Sequence, residues 1–474
     1  MKSMLGKKIV FLVISGLLAA FALTVIEDLI QQRLYYQDEA KRSVAHAWSG
    51  QQQVFGPMLV VPYHYREVKS VWDSKLEKYI ERTVEHRSVL YIIPEQLKLN
   101  SQMTTQQRSR GIFSFPVFTS QMTLAGEFDL TEYNRLKNMP NVFKIETPYL
   151  AVTLSDMRGI NNKPVLNWQS TQRSFAAGSN LSFSPQGVHA PLENLTGTHA
   201  EFAFELNLRG MDTLWFTPIA KDTKVDLAAS WPHPNFVGQF LPTEREINQE
   251  QFQAKWQVSE FSSNITQNVT HCQTGDCSAL MSNRFGVSLN TPVDIYRQSI
   301  RSAKYGLLFV GLTFISFFMF EMLKRLQIHP VQYTLVALAL SVFYLLLIAL
   351  SEHLGFLMAY GLATSACVLL LTFYLTSILR NVKWGLGFGG FITLLYVLLY
   401  VILSSEDHAL LLGAGLVFAT LVLVMAATRH LDWYQVSNWA SEKAKAQLYR
   451  NKAEDEWEVE VLDEPETPAN PANN

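Results

Sequence analysis

Long apolar stretches stand out at the start of the chain and in its last third. A helix needs about 20 apolar residues to cross the ~30 Å hydrocarbon core of a bilayer. Backbone groups in lipid must satisfy their own hydrogen bonds, so such stretches are predicted to be helical. The stretches of this length, or nearly so, are Ile9–Ile26, Tyr305–Leu323, Tyr333–Leu350, Leu354–Leu379, Leu386–Leu403 and Ala409–Ala427. The pattern therefore predicts a transmembrane anchor in residues 1–26 and a C-terminal bundle of five transmembrane helices in residues 301–427.

Residues 27–300, between these parts, read mainly as β-structure. In Gln251–Val258 and Glu201–Leu208, apolar and polar side chains alternate, which is typical of a half-buried antiparallel strand. Weaker strand candidates are Met58–Tyr65, Val89–Ile93, Gln121–Phe128, Tyr149–Leu154 and Lys224–Ala229. Short strands separated by turns predict a large β-rich, sandwich-like domain, and residues 27–53 are predicted to form a helical stalk. The fold class is thus a membrane protein of the α+β type.

Basic residues near the ends of the spans predict the orientation of the chain in the membrane. They precede the first span, join the second to the third and the fourth to the fifth, and follow the last. These residues include Lys2, Lys7, Lys8, Lys324, Arg325, Arg380, Lys383, Arg429 and Lys443. The alternate connections contain no Lys or Arg. Both termini are therefore expected in the cytoplasm and residues 27–300 on the outer side. Cleavage at Ala20-Phe21-Ala22 is the alternative to a retained anchor.

Composition narrows the possible partners. The net charge is −2, and no Lys/Arg-rich patch with interleaved aromatics is present, so nucleic-acid binding is not expected. Membrane lipids are the expected neighbours of the spans. Residues 428–474 form a predicted cytoplasmic tail, in which the acidic composition of Glu454–Glu466 predicts disorder.

The cysteines suggest an oxidising compartment. Cys272 and Cys277 have four residues between them in a turn that contains Gly and Asp. An oxidising periplasm favours a disulfide here, with free thiols or a metal site that includes His271 as alternatives. Three ligands within seven residues and no visible fourth make a poor zinc signature, so no metal or cofactor is predicted. Cys367 lies within the fourth span and is assigned to packing.

Catalytic motifs are not found in the sequence. It contains no Walker A, His-Glu-x-x-His or Gly-x-Ser-x-Gly pattern, so no catalytic or cofactor-binding residue is assigned. The Gly-rich text Gly385–Gly390 is interpreted as close helix packing. Glu321 is interpreted as the partner of Lys324 and Arg325 on one helical face, with a proton relay as the alternative.

Further ionisable residues fall between the spans. Glu352-His353 and Glu406-Asp407-His408 are expected in outer loops, as solvated turn residues or as acidity sensors. No span carries a central charge, which argues against an ion-coupled transporter.

Two segments of the β-rich part invite a functional interpretation. In Trp231–Phe236 two prolines fix the backbone. Its aromatic rings either fill the core beneath a rigid crossing loop, which is the favoured interpretation, or form an exposed platform for a ligand. Asp156–Gly159 is interpreted as a charged turn, with an Arg-centred contact as the alternative.

Several segments of the chain have the text of a known protein family. In and near the spans they include TPVDIYRQSIRSAKYGLLFVGLTFISFFMFEML at Thr291–Leu323, FYLLLIALSEHLGF at Phe343–Phe356 and His329–Tyr333. The others are WPHPNFVGQFLP at Trp231–Pro242, FQAKW at Phe252–Trp256, SDMRGI at Ser155–Ile160 and Asp432-Trp433-Tyr434. In these segments the chain resembles the CreD family of bacterial inner-membrane proteins. The resemblance runs from the first span to about Tyr434 and leaves out the acidic tail.

The resemblance implies a role in cell-envelope integrity and envelope stress. It also implies association with a two-component regulatory system, with colicin tolerance and, in some bacteria, with β-lactam responses. It implies no catalytic residues. The expected function is non-enzymatic: a periplasmic domain that binds a periplasmic protein, lipid or peptidoglycan. The alternative is a transporter or membrane enzyme that acts on an envelope lipid or precursor through Glu321, Glu352, His353 and Glu406.

Overall fold

A computed structural model describes residues 4–74, 77–193, 195–289, 295–324, 328–379, 381–405 and 408–429. The chain divides into two compact units. One unit joins Met1–Tyr35 to Val293–Asn474, and the other is Tyr36–Pro292. They are called here the membrane unit and the β-domain.

Helix α1, Met4–Ala47, begins the chain and is continuous over 44 residues. At 1.5 Å per residue it is about 66 Å long, which is twice the length needed to cross a bilayer core. Its first half is the predicted apolar anchor, and its second half carries charged and polar residues such as Glu27, Asp28 and Arg33. The predicted helical stalk is confirmed as far as Ala47.

The β-domain contains two mixed sheets. Its strands are β1 Gln52–Asp73, β2 Lys78–Ile92, β3 Gln96–Arg110, β4 Phe113–Asp129, β5 Val142–Ile145, β6 Tyr149–Leu154, β7 Val165–Trp168, β8 Thr171–Ser174, β9 Ala176–Ala177, β10 Gly187–Pro191, β11 His199–Met211, β12 Thr213–Phe216, β13 Asp222–Ala229, β14 Pro234–Gly238, β15 Glu244–Ile247, β16 Phe252–Ser259 and β17 Phe285–Leu289. Short helices connect some of them: α2 Thr131–Lys137, α3 Glu260–Ser263, α4 Ile265–Gln273 and α5 Ser278–Ser282.

The first sheet has the order β14-β17-β12-β1-β6-β10-β9, and β2 and β5 also pair with β1. The second has the order β15-β16-β13-β3-β4-β11-β7-β8. Most neighbouring strands are antiparallel. The exceptions are β1 with β12 and β13 with β3, which run parallel. Every strand candidate from the sequence coincides with a strand, although Val89–Ile93 and Gln251–Val258 each extend one residue beyond it. Strand β6 matches its candidate Tyr149–Leu154 at both ends.

The apolar faces of both sheets contribute to one core, which confirms the sandwich-like prediction. Strand β16 shows why: Phe252, Ala254, Trp256 and Val258 are buried, and the residues between them are exposed. The Trp256 ring lies 5.6 Å from that of Phe285 on the other sheet. Replacing a buried ring of this kind with alanine costs about 3–5 kcal/mol.

The membrane unit adds five helices to the start of α1. They are α6 Ile295–Lys324, α7 Pro330–Leu354, α8 Phe356–Leu379, α9 Val382–Ser404 and α10 Ala409–Thr428. Within the described residues, five helices (α1 and α6 to α9) are long and apolar enough to cross a membrane. The sixth predicted span coincides with α10, whose apolar part, Leu410–Ala426, is shorter. The predicted tail, residues 428–474, lies outside the described residues from residue 430 onward.

Candidate functional site

The aromatic rings of the Trp231–Phe236 loop face the core of the β-domain. Phe236 lies 5.7 Å from the Trp256 ring and 5.8 Å from the Phe252 ring. The Trp231 indole donates a hydrogen bond to the His233 carbonyl, 3.1 Å away. Both aromatic residues are half-buried against the core. The favoured interpretation is confirmed for the rings, which pack against the core and form no exposed platform. It is wrong for the backbone, because Pro234–Phe236 belong to strand β14, which pairs with β17.

The Asp156–Gly159 segment is a charged turn and an Arg-centred contact together. The Arg158 guanidinium donates two hydrogen bonds to the Asp156 carboxylate, at 3.0 and 2.8 Å, and one to the His46 carbonyl at 2.7 Å. The last of these satisfies a free carbonyl at the C-terminus of α1. The hydrogen bonds from Arg158 lower the pKa of Asp156 well below its usual range. Within the β-domain, this segment therefore fastens the end of α1 to the turn after β6.

The sequence interpretation missed an exposed feature of the β-domain, the hairpin of β1 and β2. The two strands pair without interruption from Leu59↔Ile92 to Asp73↔Lys78. Neighbouring strand β5 reaches only as far as Tyr65 on β1. Beyond that point no third strand among the described residues flanks the hairpin. The part from Arg66 to Glu85 is called here the arm.

The end of the arm exposes large apolar side chains. Trp72 is 53% exposed, Tyr79 is 68% exposed and Val68 is 60% exposed. Residues two apart on a strand share a face, and Trp72 pairs with Tyr79 across the hairpin, so all three lie on the same face. The Trp72 and Tyr79 rings are 5.1 Å apart in an edge-on arrangement. The exposure of this aromatic pair leaves it accessible to a partner.

Charged and aromatic groups line the same face of the hairpin, from the arm toward its base. Arg66 pairs with Glu85 at 3.0 Å and also stacks over the Phe143 ring, 4.5 Å from its centroid. The next pair along the hairpin is His64 and Arg87. Both contact Glu146: the distance is 2.7 Å from His64 and 2.9 Å from Arg87.

Glu146 is held as a carboxylate by these contacts. The hydrogen bonds from Arg87, and secondarily from His64, lower its pKa from 4.5 to about 2. Nearby, burial raises the pKa of Tyr149 to about 12, and the Tyr149 hydroxyl donates to the Asn180 carbonyl. Perturbed groups of this kind occur at functional sites and in structural ion-pair networks alike. Here every named group has a partner within the chain, which favours a structural network that stiffens the base of the hairpin.

The ionisable residues singled out in the membrane unit are also engaged. Glu321 is buried, with its carboxylate accepting hydrogen bonds from the Tyr333 hydroxyl at 2.6 Å and the Ile328 amide at 2.9 Å. These contacts join the end of α6 to the start of α7. Arg325 lies outside the described residues, and the side chain of Lys324 is not described, so the predicted local ion pair stays a prediction.

The prediction of solvated turn residues is wrong for Glu352. Helix α7 continues to Leu354, so Glu352 lies in its last turn. Its side chain is only 8% exposed, lies 3.4 Å from the Arg33 guanidinium and accepts a hydrogen bond from the Tyr296 hydroxyl. His353 and His408 are exposed, and Glu406 and Asp407 lie outside the described residues.

The remaining sequence features have structural explanations. Cβ atoms placed on Gly385 and Gly389 of α9 would overlap Thr376 and Thr372 of α8, so the predicted close helix packing is confirmed. Cys272 and Cys277 form a disulfide, as favoured. Buried Cys367 packs within α8. The described residues contain no group of three or more His, Cys, Asp or Glu side chains placed to hold a metal ion.

Comparison with known proteins decides the family. A family described as "Inner membrane protein CreD" matches residues 4–434. The chain is also 32% identical over 440 residues to the inner membrane protein CreD of Escherichia coli (strain K12), which covers 92% of this chain and 95% of that protein. The chain belongs to the CreD family.

Membership of the CreD family agrees with the architecture. An inner-membrane protein accounts for the apolar helices of the membrane unit, and the match extends over the anchor, the β-domain and all five C-terminal helices. Both descriptions name a membrane protein and neither names a reaction. The chain is thus an inner-membrane protein with an implied role at the cell envelope.

Proposed function

We propose that this CreD-family protein is a non-catalytic binding protein of the cell envelope. Its β-domain would hold an envelope component, a protein, lipid or peptidoglycan, and its helices would anchor that domain in the inner membrane. The observation that carries the proposal is the exposed pair of contacting rings at the end of the arm, Trp72 and Tyr79.

The chemistry of the arm suits recognition. Trp and Tyr are enriched at binding hot spots, because they bury a large apolar area and retain one polar group. Single exposed apolar residues are normal on protein surfaces, and Phe261 is one such residue on α3. The arm differs because its exposed rings form a contacting pair on a projecting hairpin.

The ionised state of Glu146, at the base of the hairpin, favours binding over catalysis as the function of this surface. The Glu146 carboxylate accepts hydrogen bonds from Arg87 and His64. It can accept further hydrogen bonds, but at neutral pH it carries no proton that it could donate. A general acid or base needs a pKa near the working pH, whereas that of Glu146 is about 2.

We further propose that the β-domain is periplasmic and that both termini are cytoplasmic. The basic residues between the spans support this orientation, and so does the Cys272–Cys277 disulfide, which an oxidising compartment maintains.

Site-specific photo-cross-linking in cells tests the proposed function. A photoreactive amino acid at Tyr79 or Trp72 of the full chain is expected to capture a specific envelope component. The matched control is Gln253, which is exposed on β16 away from the arm. Adducts identical at all three positions, or none at the arm of a folded and expressed protein, would overturn the arm as the binding surface.

The transporter or membrane-enzyme alternative depends on Glu321, Glu352, His353 and Glu406. Glu321 and Glu352 are engaged with groups of the chain itself, which favours structural roles for both. Alanine substitution at each of the four positions tests the alternative. If every variant fully complements a strain that lacks the protein, the alternative is wrong.

A further inference from the structure

A lateral groove lies between α6, α9 and α10 within the membrane unit. Its volume is about 580 Å³, and its walls include Leu312, Phe320, Leu398, Leu416 and Leu423. Helix α10 approaches α6 near Gly413, where an added Cβ would be 3.5 Å from the Tyr305 ring. From Leu416 onward the groove separates α10 from its neighbours.

The lining of the groove is mainly apolar, with Ser316 and Thr420 as its hydroxyl-bearing residues. None of the described residues that line it carries a charge. The Thr420 hydroxyl donates to the Leu416 carbonyl of its own helix, 2.8 Å away, so its donor is already satisfied. Small residues open the space: no protein atom lies within 4 Å of a Cβ placed on Gly387, and Ala419 lines the groove from α10. A hydrocarbon is the ligand that such walls would accept.

The dimensions of the groove suit a single hydrocarbon chain, and its volume is about 580 Å³. Sites for small molecules span about 300–1,000 Å³. The groove follows α9 from Leu398 to Trp384, about 21 Å at 1.5 Å per residue. One leaflet of a ~30 Å hydrocarbon core is about 15 Å thick, so the groove is longer than one leaflet and shorter than the whole core.

One end of the groove is suited to the membrane interface. Trp384 lies there, one residue after Lys383 at the beginning of α9. Tryptophan and lysine are residues that anchor helices at the level of lipid headgroups. A lipid chain that enters at this end would have its headgroup beside these two side chains.

We propose that the groove between α6, α9 and α10 is a binding site for one acyl chain of a phospholipid. The site is independent of the arm and of the function proposed for the β-domain. It is formed by three helices, so a lipid held there exchanges more slowly than the lipids around the bundle.

The test uses the full chain in nanodiscs made from phosphatidylethanolamine that carries a diazirine in its acyl chain. After photolysis, mass spectrometry should locate the adducts on α6, α9 and α10. Gly387→Phe and Ala419→Phe fill the groove from two helices and should each reduce these adducts about tenfold, the equivalent of two excluded methylene groups.

The matched control is Gly361→Phe on α8. An added Cβ on Gly361 also meets open space, but Gly361 does not line the groove. This variant should leave the adducts unchanged. All three variants should show the thermal unfolding of the parent protein. Adducts spread evenly over the exposed helix faces, adducts unaffected by both filling variants, or a dimer contact at the groove in native mass spectra would each overturn the proposal.

Discussion

Gly389 of α9 packs directly against Thr372 of α8, so closely that a Cβ atom on Gly389 would overlap the Thr372 hydroxyl group. Gly390, the next residue, has no protein atom within 4 Å of the same added atom. Two adjacent glycines in one helix therefore have opposite environments, and only one of them is needed for helix packing.

The first prediction compares alanine at these two positions. Gly389→Ala should destabilise the full chain by about 1–3 kcal/mol, because it overpacks the contact between α8 and α9. Gly390→Ala should be neutral or stabilising by up to about 1 kcal/mol, because alanine is the better helix former. Thermal unfolding of the purified full chain measures both effects.

A double-mutant cycle connects the effect to Thr372. The methyl group introduced by Gly389→Ala would first meet the hydroxyl and methyl groups of Thr372. Thr372→Ala removes both groups, so it should recover most of the stability lost in Gly389→Ala. If the two substitutions are simply additive, the contact is not the cause of the destabilisation.

The sequence allowed this packing to be predicted because small residues in an apolar run have few other uses. It could not show which glycines face α8, since that depends on the rotation of α9 about its axis. The same limit applies to Glu352. Its charge predicts a solvated turn, and only the folded chain brings Arg33 and Tyr296 next to it.

The second prediction concerns the arm. Trp72→Ala combined with Tyr79→Ala should abolish partner capture in cells, measured with a photoreactive residue at Val68. It should lower stability by no more than about 1.5 kcal/mol, the value of the lost aromatic pair. Trp256→Ala, in the core, should instead cost about 3–5 kcal/mol.

The conservative variant Trp72→Phe with Tyr79→Phe is the control, because it retains an aromatic ring at both positions. Capture that survives the alanine variant would exclude the aromatic pair as the contact, and loss of capture together with unfolding would identify a structural defect.

The arm shows why part of the β-domain escaped sequence interpretation. Alternation of apolar and polar residues marks a strand that buries one face, as in β16. Among the described residues from Arg66 to Glu85, both faces of the hairpin are largely exposed, so charged and apolar side chains mix on each face. The pairing depends on cross-strand contacts such as Arg66 with Glu85, which a single strand does not reveal.

The third prediction concerns pH. The pKa of Glu146 is lowered from 4.5 to about 2, so its ion pairs contribute stability above pH 4.5, and this contribution is lost as the pH falls toward 2. The side chain is 31% exposed, so the contribution is limited to about 1 kcal/mol. Glu146→Gln should therefore lower the melting temperature at pH 7, and by less than half as much at pH 3.

Arg66→Gln provides the comparison. It breaks the exposed ion pair between Arg66 and Glu85, which lies on the same face of the hairpin but farther from Glu146. An equal difference between Glu146→Gln and the parent at pH 7 and pH 3 would contradict the electrostatic explanation and would indicate a packing effect.

The last prediction links the disulfide to the orientation of the chain. The Cys272–Cys277 bond closes a short loop, and replacing both residues with serine should cost about 2 kcal/mol by the loop-entropy relation.

The chain has three cysteines, so a Cys367→Ala background leaves only this pair. In intact cells with a permeable outer membrane, a maleimide that cannot cross the inner membrane should label the pair only after mild reduction. Labelling without reduction would mean free thiols. If labelling after reduction occurs only once the inner membrane is disrupted, the β-domain is on the cytoplasmic side and the proposed orientation is wrong.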